Sequence, residues 1–142
     1  MTPVRVLFLC THNSARSQMA EGLLRSLGGG RFEVHSAGTI ATQVRPEAIA
    51  AMAELGIDIS GHASKELARF LGHSFDRVVT VCDQARESCP VFPGARSMVH
   101  WSIDDPADVA GDDDERLAAF RRARDELRVR VAELVDEVPP ST

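Results

Sequence analysis

The sequence predicts an α/β protein, with a mostly parallel sheet covered on both faces. Three observations carry this. Short apolar or alternating runs at 4–9, 32–37, 76–81 and 96–100 are interleaved with helical patterns at 17–27, 46–55 and from 112 onward. Glycine or proline marks most of the junctions between them. The first run is continuously apolar from Val6 to Cys10, as a strand buried on both sides requires.

Each element has a local reason. VRVLFL at 4–9 reads as a core strand, and SQMAEGLLRSL at 17–27 as a helix stopped by Gly28, Gly29 and Gly30. FEVHSA at 32–37 alternates and closes at Gly38, giving a second strand. Pro46 opens a helix that reaches Leu55 and ends at Gly56. Ser64 is placed to cap a short helix, SKELARFL, ended by Gly72. DRVVTV at 76–81 is a third strand running straight into Cys82, and RSMVH at 96–100 a fourth. A long amphipathic helix then extends from Asp112 to about Val138. Leu117, Phe120, Leu127, Val131, Leu134 and Val135 mark its apolar face. Asp112, Asp113, Asp114 and Glu115 complement the positive end of its dipole, and Pro139 and Pro140 end it. Its charged side reads as a solvated face.

The chain has 142 residues, which suits one domain spanning 1–142. No repeat, low-complexity segment or interdomain linker interrupts it. A hydrophobic content of 44% with 26% charged residues is ordinary for a soluble protein. The apolar runs are too short to cross a membrane. The N-terminus lacks a basic segment followed by a long apolar stretch, which predicts a cytoplasmic location. A net charge of −5 argues against general nucleic-acid binding. A monomer is the default expectation. Three cysteines, Cys10, Cys82 and Cys89, are an odd count for a disulfide framework. The five histidines are scattered and form no zinc-like cluster with them, so the cysteines are either buried packing residues or reactive thiols.

Open α/β sheets bind ligands beyond the carboxyl ends of their strands, and Cys10 and Cys82 both fall there. Cys10 to Arg16 has the spacing C-x5-R, weak by itself. Its context sharpens it. A strand-to-helix junction gathers backbone N–H groups under a helix dipole, which suits a tetrahedral oxyanion. Arg16 adds a planar, two-pronged donor. Asn13 tolerates the left-handed backbone that a tight cradle requires. The same positive field favours a thiolate nucleophile over a thiol, and the Ser17 hydroxyl is placed to donate to it. The competing reading is a buried Cys10 that merely ends a core strand, with Arg16 on the surface.

Cys82 and Cys89 are seven residues apart. On an intact helix they would be separated by roughly 10.5 Å. A disulfide needs Cα atoms within about 7 Å, so the pair bonds only if the segment unwinds. Asp83, Ser88, Pro90 and Pro93 make it a poor helix that melts easily. The two readings are a redox pair that rearranges its own loop and two packing cysteines. In WSIDDPADVA, Asp105 precedes Pro106 and is pushed into an extended backbone. That can fix a loop carboxylate as a general acid, or simply form an acidic turn.

CTHNSARS at Cys10–Ser17, the Cys82/Cys89 pair and DDPA at Asp104–Ala107 occur in an order that resembles one family. The chain is similar over nearly its whole length to the thioredoxin-coupled, three-cysteine arsenate reductases built on the low-molecular-weight tyrosine phosphatase fold. The resemblance implies a four-stranded parallel sheet flanked by helices. It implies that arsenate sits on the loop formed by Thr11, His12, Asn13, Ser14, Ala15 and Arg16, where phosphate or sulfate also fits. Cys10 would attack, Asp105 would protonate the departing oxygen, and Cys82 would attack Cys10 and release arsenite. Cys89 would then take over the disulfide on Cys82, and thioredoxin would reduce it, with no bound cofactor. Some relatives hold a monovalent cation through oxygens matching Asn13, Glu21 and Ser36. Here Lys65, the only lysine, stands where they have an acidic residue, so its ammonium is expected to replace the ion and no metal is predicted.

Three rivals are weighed against this. A low-molecular-weight tyrosine phosphatase would use Cys10, Arg16 and Asp105 alike, but Ala107 replaces the aromatic residue such enzymes carry, and the chain has no tyrosine. Reduction by a small thiol and glutaredoxin would not need both Cys82 and Cys89. A non-catalytic oxyanion-binding or redox-sensing module would signal to a partner, and no appended DNA-binding or partner domain is expected within the 142 residues.

Overall fold

The computed structural model describes residues 2–83 and 91–138. Its centre is β1 (Val4–Cys10), in which Val6, Leu7, Phe8, Leu9 and Cys10 are all at most 2% exposed. Such a strand must be paired on both edges and covered on both faces, and it is. β2 (Phe32–Gly38) pairs along one edge, with Cys10 opposite Gly38. β3 (Arg77–Thr80) pairs along the other, with Leu9 opposite Thr80, and β4 (Met98–His100) follows β3. All pairings are parallel, in the order β2-β1-β3-β4. The carboxyl ends of β1, β2 and β3 are therefore neighbours.

The pleat divides the core in two. Val6, Phe8 and Cys10 face the larger cluster, built with α1 (Arg16–Gly28), α2 (Pro46–Ala53) and α3 (Asp113–Glu137). Leu7 and Leu9 face Phe70, Phe75 and Phe92 on the other side. A short 3₁₀ helix, Leu67–Phe70, supplies part of that cover. Each fully buried Leu or Phe contributes about 2–3 kcal/mol of transfer free energy, which fixes the register of the central strands.

The local signals act largely as expected. Pro46 is in the first turn of α2, and the Asp112 carboxylate caps α3 by accepting from the Glu115 N–H at 2.9 Å. Gly29, just beyond α1, takes the left-handed φ of +58°. The segment expected as a Ser64-capped helix is only the 3₁₀ helix. Ser64 instead accepts from the Thr42 N–H at 2.9 Å and donates to the His12 carbonyl at 3.0 Å, so its hydroxyl braces the loop after β1. Among the described residues, no helix is long and apolar enough to cross a membrane.

Candidate active site

The loop from Thr11 to Ala15 joins β1 to α1 at the carboxyl edge of the sheet. Its carbonyls are engaged by neighbouring segments. Ile40 N–H donates to Thr11 at 3.0 Å and Arg45 N–H to Ser14 at 2.8 Å, while Ser64 holds His12. The first N–H groups of α1 have no intrahelical acceptor, so this end of the helix is a natural anion seat. Gly38 lets β2 come close enough. A Cβ there would lie 2.7 Å from both Asn13 N and Thr11 O.

Asn13 adopts φ +50°, the only positive φ among described non-glycine residues. Its side chain is oriented without ambiguity. The Lys65 N–H donates to Asn13 Oδ1 at 2.8 Å, which turns Nδ2 toward Ser17 Oγ at 2.7 Å. Because Ser17 receives this bond, its own proton is free for Cys10 Sγ, 2.7 Å away. The Asn13 N–H reaches the same sulfur at 3.2 Å. Cys10 thus has two donors at a helix N-terminus, an arrangement that stabilises negative sulfur.

Arg16 is buried, 3% exposed. Its Nη1 donates to the Ile103 carbonyl at 3.0 Å, and Nη2 stands 3.5 Å from Asp105 Oδ2. The guanidinium is therefore aimed by the segment after β4. Asp105 has the extended backbone expected before Pro106, and its Oδ1 accepts from the Ala107 N–H at 3.0 Å. A groove of about 600 Å³ opens beside the loop, between His12, Arg45 and Asp105, and among the described residues no Phe, Tyr or Trp lines it.

Cys82 lies two residues beyond β3. It is fully buried and part of the same apolar cluster as Cys10. Cys89 lies outside the described residues. Behind the loop, buried Glu21 accepts from the Ser36 hydroxyl at 2.6 Å and pairs with Arg25 at 2.9 Å. Lys65 Nζ is 3.7 Å from Glu21 and donates to the Ala63 carbonyl at 2.7 Å. Burial lowers the Lys65 ammonium's pKa, and the Glu21 carboxylate opposes that shift.

All the sequence-predicted loop residues, with Ser17 and Asp105, meet at this edge. Sequence reasoning missed Gly38 as a contact residue and Gln18 altogether. Gln18 is fully buried, and its Nε2 lies 2.8 Å from Asn13 Oδ1. The available signal was a polar residue on the otherwise buried start of α1.

A buried thiol with two donors, an arginine and an acid can attack a tetrahedral oxyanion and protonate the leaving oxygen. The model of the low molecular weight phosphotyrosine protein phosphatase family matches residues 5–141. An arsenate reductase of Halalkalibacterium halodurans is 47% identical over 126 residues, covering 89% of this chain and 91% of its own. A solved structure of an arsenate reductase in the phosphate binding state superposes with TM-score 0.82 at 35% identity, covering 96% of this chain and 99% of its own. A thioredoxin-dependent arsenate reductase of Corynebacterium glutamicum superposes with TM-score 0.72 at 29% identity, covering 96% of this chain and 62% of its own.

Proposed function

Because the chain belongs to the low molecular weight phosphotyrosine protein phosphatase family, we propose that it turns that family's anion loop to the reduction of arsenate to arsenite. The observation that carries this reading is the Cys10 sulfur, 2.7 Å from Ser17 Oγ and 3.2 Å from the Asn13 N–H at the start of α1, with Cys82 in the same cluster.

Cys10 thiolate attacks arsenic held by the Thr11–Arg16 loop. Asp105 gives a proton to the departing oxygen, which leaves as water, and an S–As(V) bond forms. Cys82 thiolate then attacks the Cys10 sulfur. The S–As bond breaks with its electron pair moving to arsenic, so arsenic falls to the +3 state and a Cys10–Cys82 disulfide forms. Cys89 attacks the Cys82 sulfur and releases Cys10 as thiolate. The resulting Cys82–Cys89 disulfide takes two electrons from reduced thioredoxin. No bound cofactor enters, and residues 1–142 act as one catalytic unit in the cytoplasm, as a monomer, in arsenic detoxification. Phosphate and sulfate compete for the loop.

The second reading is a low-molecular-weight tyrosine phosphatase, with water resolving a phospho-cysteine. Among the described residues, the groove beside the loop carries the His12 imidazole but no Phe, Tyr or Trp ring to stack on a tyrosyl ester, and Ala107 lies at its wall, so this is at most a side activity.

The test is arsenate-dependent NADPH oxidation with thioredoxin and thioredoxin reductase. Turnover that vanishes in Cys82→Ser supports the relay. No turnover, with aryl phosphate hydrolysis that survives Cys82→Ser, favours the phosphatase.

A further inference from the structure

Asn13 is of a type that visits the left-handed region when its short polar side chain is hydrogen-bonded, and here that side chain is clamped. The clamp comes from the side chain that follows Ser17. Gln18 Nε2 lies 2.8 Å from Asn13 Oδ1, 3.3 Å from Asn13 O and 2.9 Å from Ala63 O. These three are acceptors, so both amide hydrogens are used and the remaining atom, Oε1, must itself accept. It faces His62 Nδ1 at 3.0 Å, which places the imidazole proton on Nδ1.

The bonds then run in one direction. His62 donates to Gln18 at 3.0 Å, Gln18 to Asn13 at 2.8 Å, Asn13 to Ser17 at 2.7 Å, and Ser17 to Cys10 at 2.7 Å. Gln18 and Asn13 are both fully buried, so no water competes along the inner links. Aligned donors polarise one another, and the last of them points at sulfur.

We propose that Gln18, oriented by His62, is a positioning residue that holds Asn13 and Ser17 in the arrangement that activates Cys10. The hydrogen bonds of Gln18 go to Asn13, Ala63 and His62 and not to the sulfur, so it acts through Asn13. The inference rests on Cys10 being the nucleophile and not on which oxyanion it attacks. The charged groups facing His62 are Glu21 and Arg25 from α1, and Asp58 and Lys65 from the segment that carries it. Removing the imidazole therefore also unpairs part of the Glu21 cluster, and two variants are needed.

The experiment follows alkylation of Cys10 by iodoacetamide from pH 5 to 9 in the reduced full chain, with the labelled cysteine identified by peptide mass. Gln18→Met keeps the side chain's length and removes both amide functions. His62→Phe keeps a ring and removes the donor to Oε1. The pH of half-maximal reactivity is expected to rise by about 0.5–1 unit in Gln18→Met and by less in His62→Phe. Inorganic phosphate binding is expected to weaken several-fold in Gln18→Met. A packing role alone would lower the melting temperature and leave the alkylation midpoint in place, and unchanged midpoints in both variants overturn the proposal. If Gln18→Met does not fold, His62→Phe at its half-buried position decides: an unchanged midpoint there overturns it. A wild-type Cys10 that reacts only above about pH 8.5 removes the nucleophile reading and this inference with it.

Discussion

Ser17 Oγ stands 2.7 Å from Cys10 Sγ, and both side chains are sealed from solvent. The hydroxyl receives the Asn13 amide at 2.7 Å, so its proton is directed at sulfur. Ser17→Ala removes that donor and leaves the Asn13 amide without its acceptor. A hydrogen bond to a charged group is worth about 1.5–3 kcal/mol, so the first arsenate-dependent turnover should slow roughly 10- to 100-fold. Single-turnover quench of Cys10–Cys82 formation measures it; an unchanged rate refutes a role for the hydroxyl.

Asp105→Asn keeps the shape beside Arg16 and takes away the proton. Loss of a general acid costs about 10²- to 10⁴-fold. Phosphate affinity should hold or rise, because the carboxylate 3.5 Å from the guanidinium no longer opposes an incoming anion. Parallel kinetics and phosphate titration separate the two effects. Equal loss of both would mean that Asp105 only orients Arg16.

Cys89→Ser should complete one turnover and stall as Cys10–Cys82. Non-reducing peptide mapping after a single arsenate addition identifies the trapped bond. Sustained multiple turnover by the variant is the result that sinks the relay.

Gly38→Ala drives a methyl to 2.7 Å from Asn13 N and Thr11 O, both backbone atoms that cannot swing aside. The loop or β2 must shift, at a cost of about 1–3 kcal/mol. Phosphate binding should fall more than the melting temperature does, since Cys10 lies opposite Gly38 in the sheet. Wild-type phosphate affinity would show that the close approach is dispensable.

Glu54 joins α2 to α3 through Arg121 at 2.6 Å and Arg124 at 2.7 Å. These guanidinium bonds lower its pKa from 4.5 to about 2. A depressed carboxyl stabilises the fold above pH 4.5, and that contribution is lost as pH falls toward about 2. Glu54→Gln should flatten that acid limb in urea unfolding measured from pH 5 to 2.5. An unchanged limb would assign the acid sensitivity to other carboxylates. Because Glu54 is on the surface, the effect should shrink in high salt.

Much of the active edge was legible because its signals are local. The apolar stretch into Cys10, the helix pattern from Ser17 and the asparagine suited to a left-handed turn are all within a dozen residues. The Ser64 segment was misread for the opposite reason. SKELARFL has a good cap and periodic apolar residues, yet Ser64 is drawn to His12, 52 residues away in sequence. A tertiary bond outcompeted the cap.

By itself, then, the order of residues determined the alternation of strands and helices, the thiol at a strand end and the arginine six positions on. These follow from periodicity, propensity and turn chemistry, which act over one or two turns of chain. Only the tertiary structure decided what makes the thiol usable. It set Gly38 against the loop, the Lys65 N–H and Gln18 on Asn13, the Ile103 carbonyl and Asp105 on Arg16, and Cys82 in the Cys10 cluster. Most of those partners lie 25 to 90 residues from the groups they hold. Parallel strand register and the packing of α1 brought them together, and no local pattern encodes either.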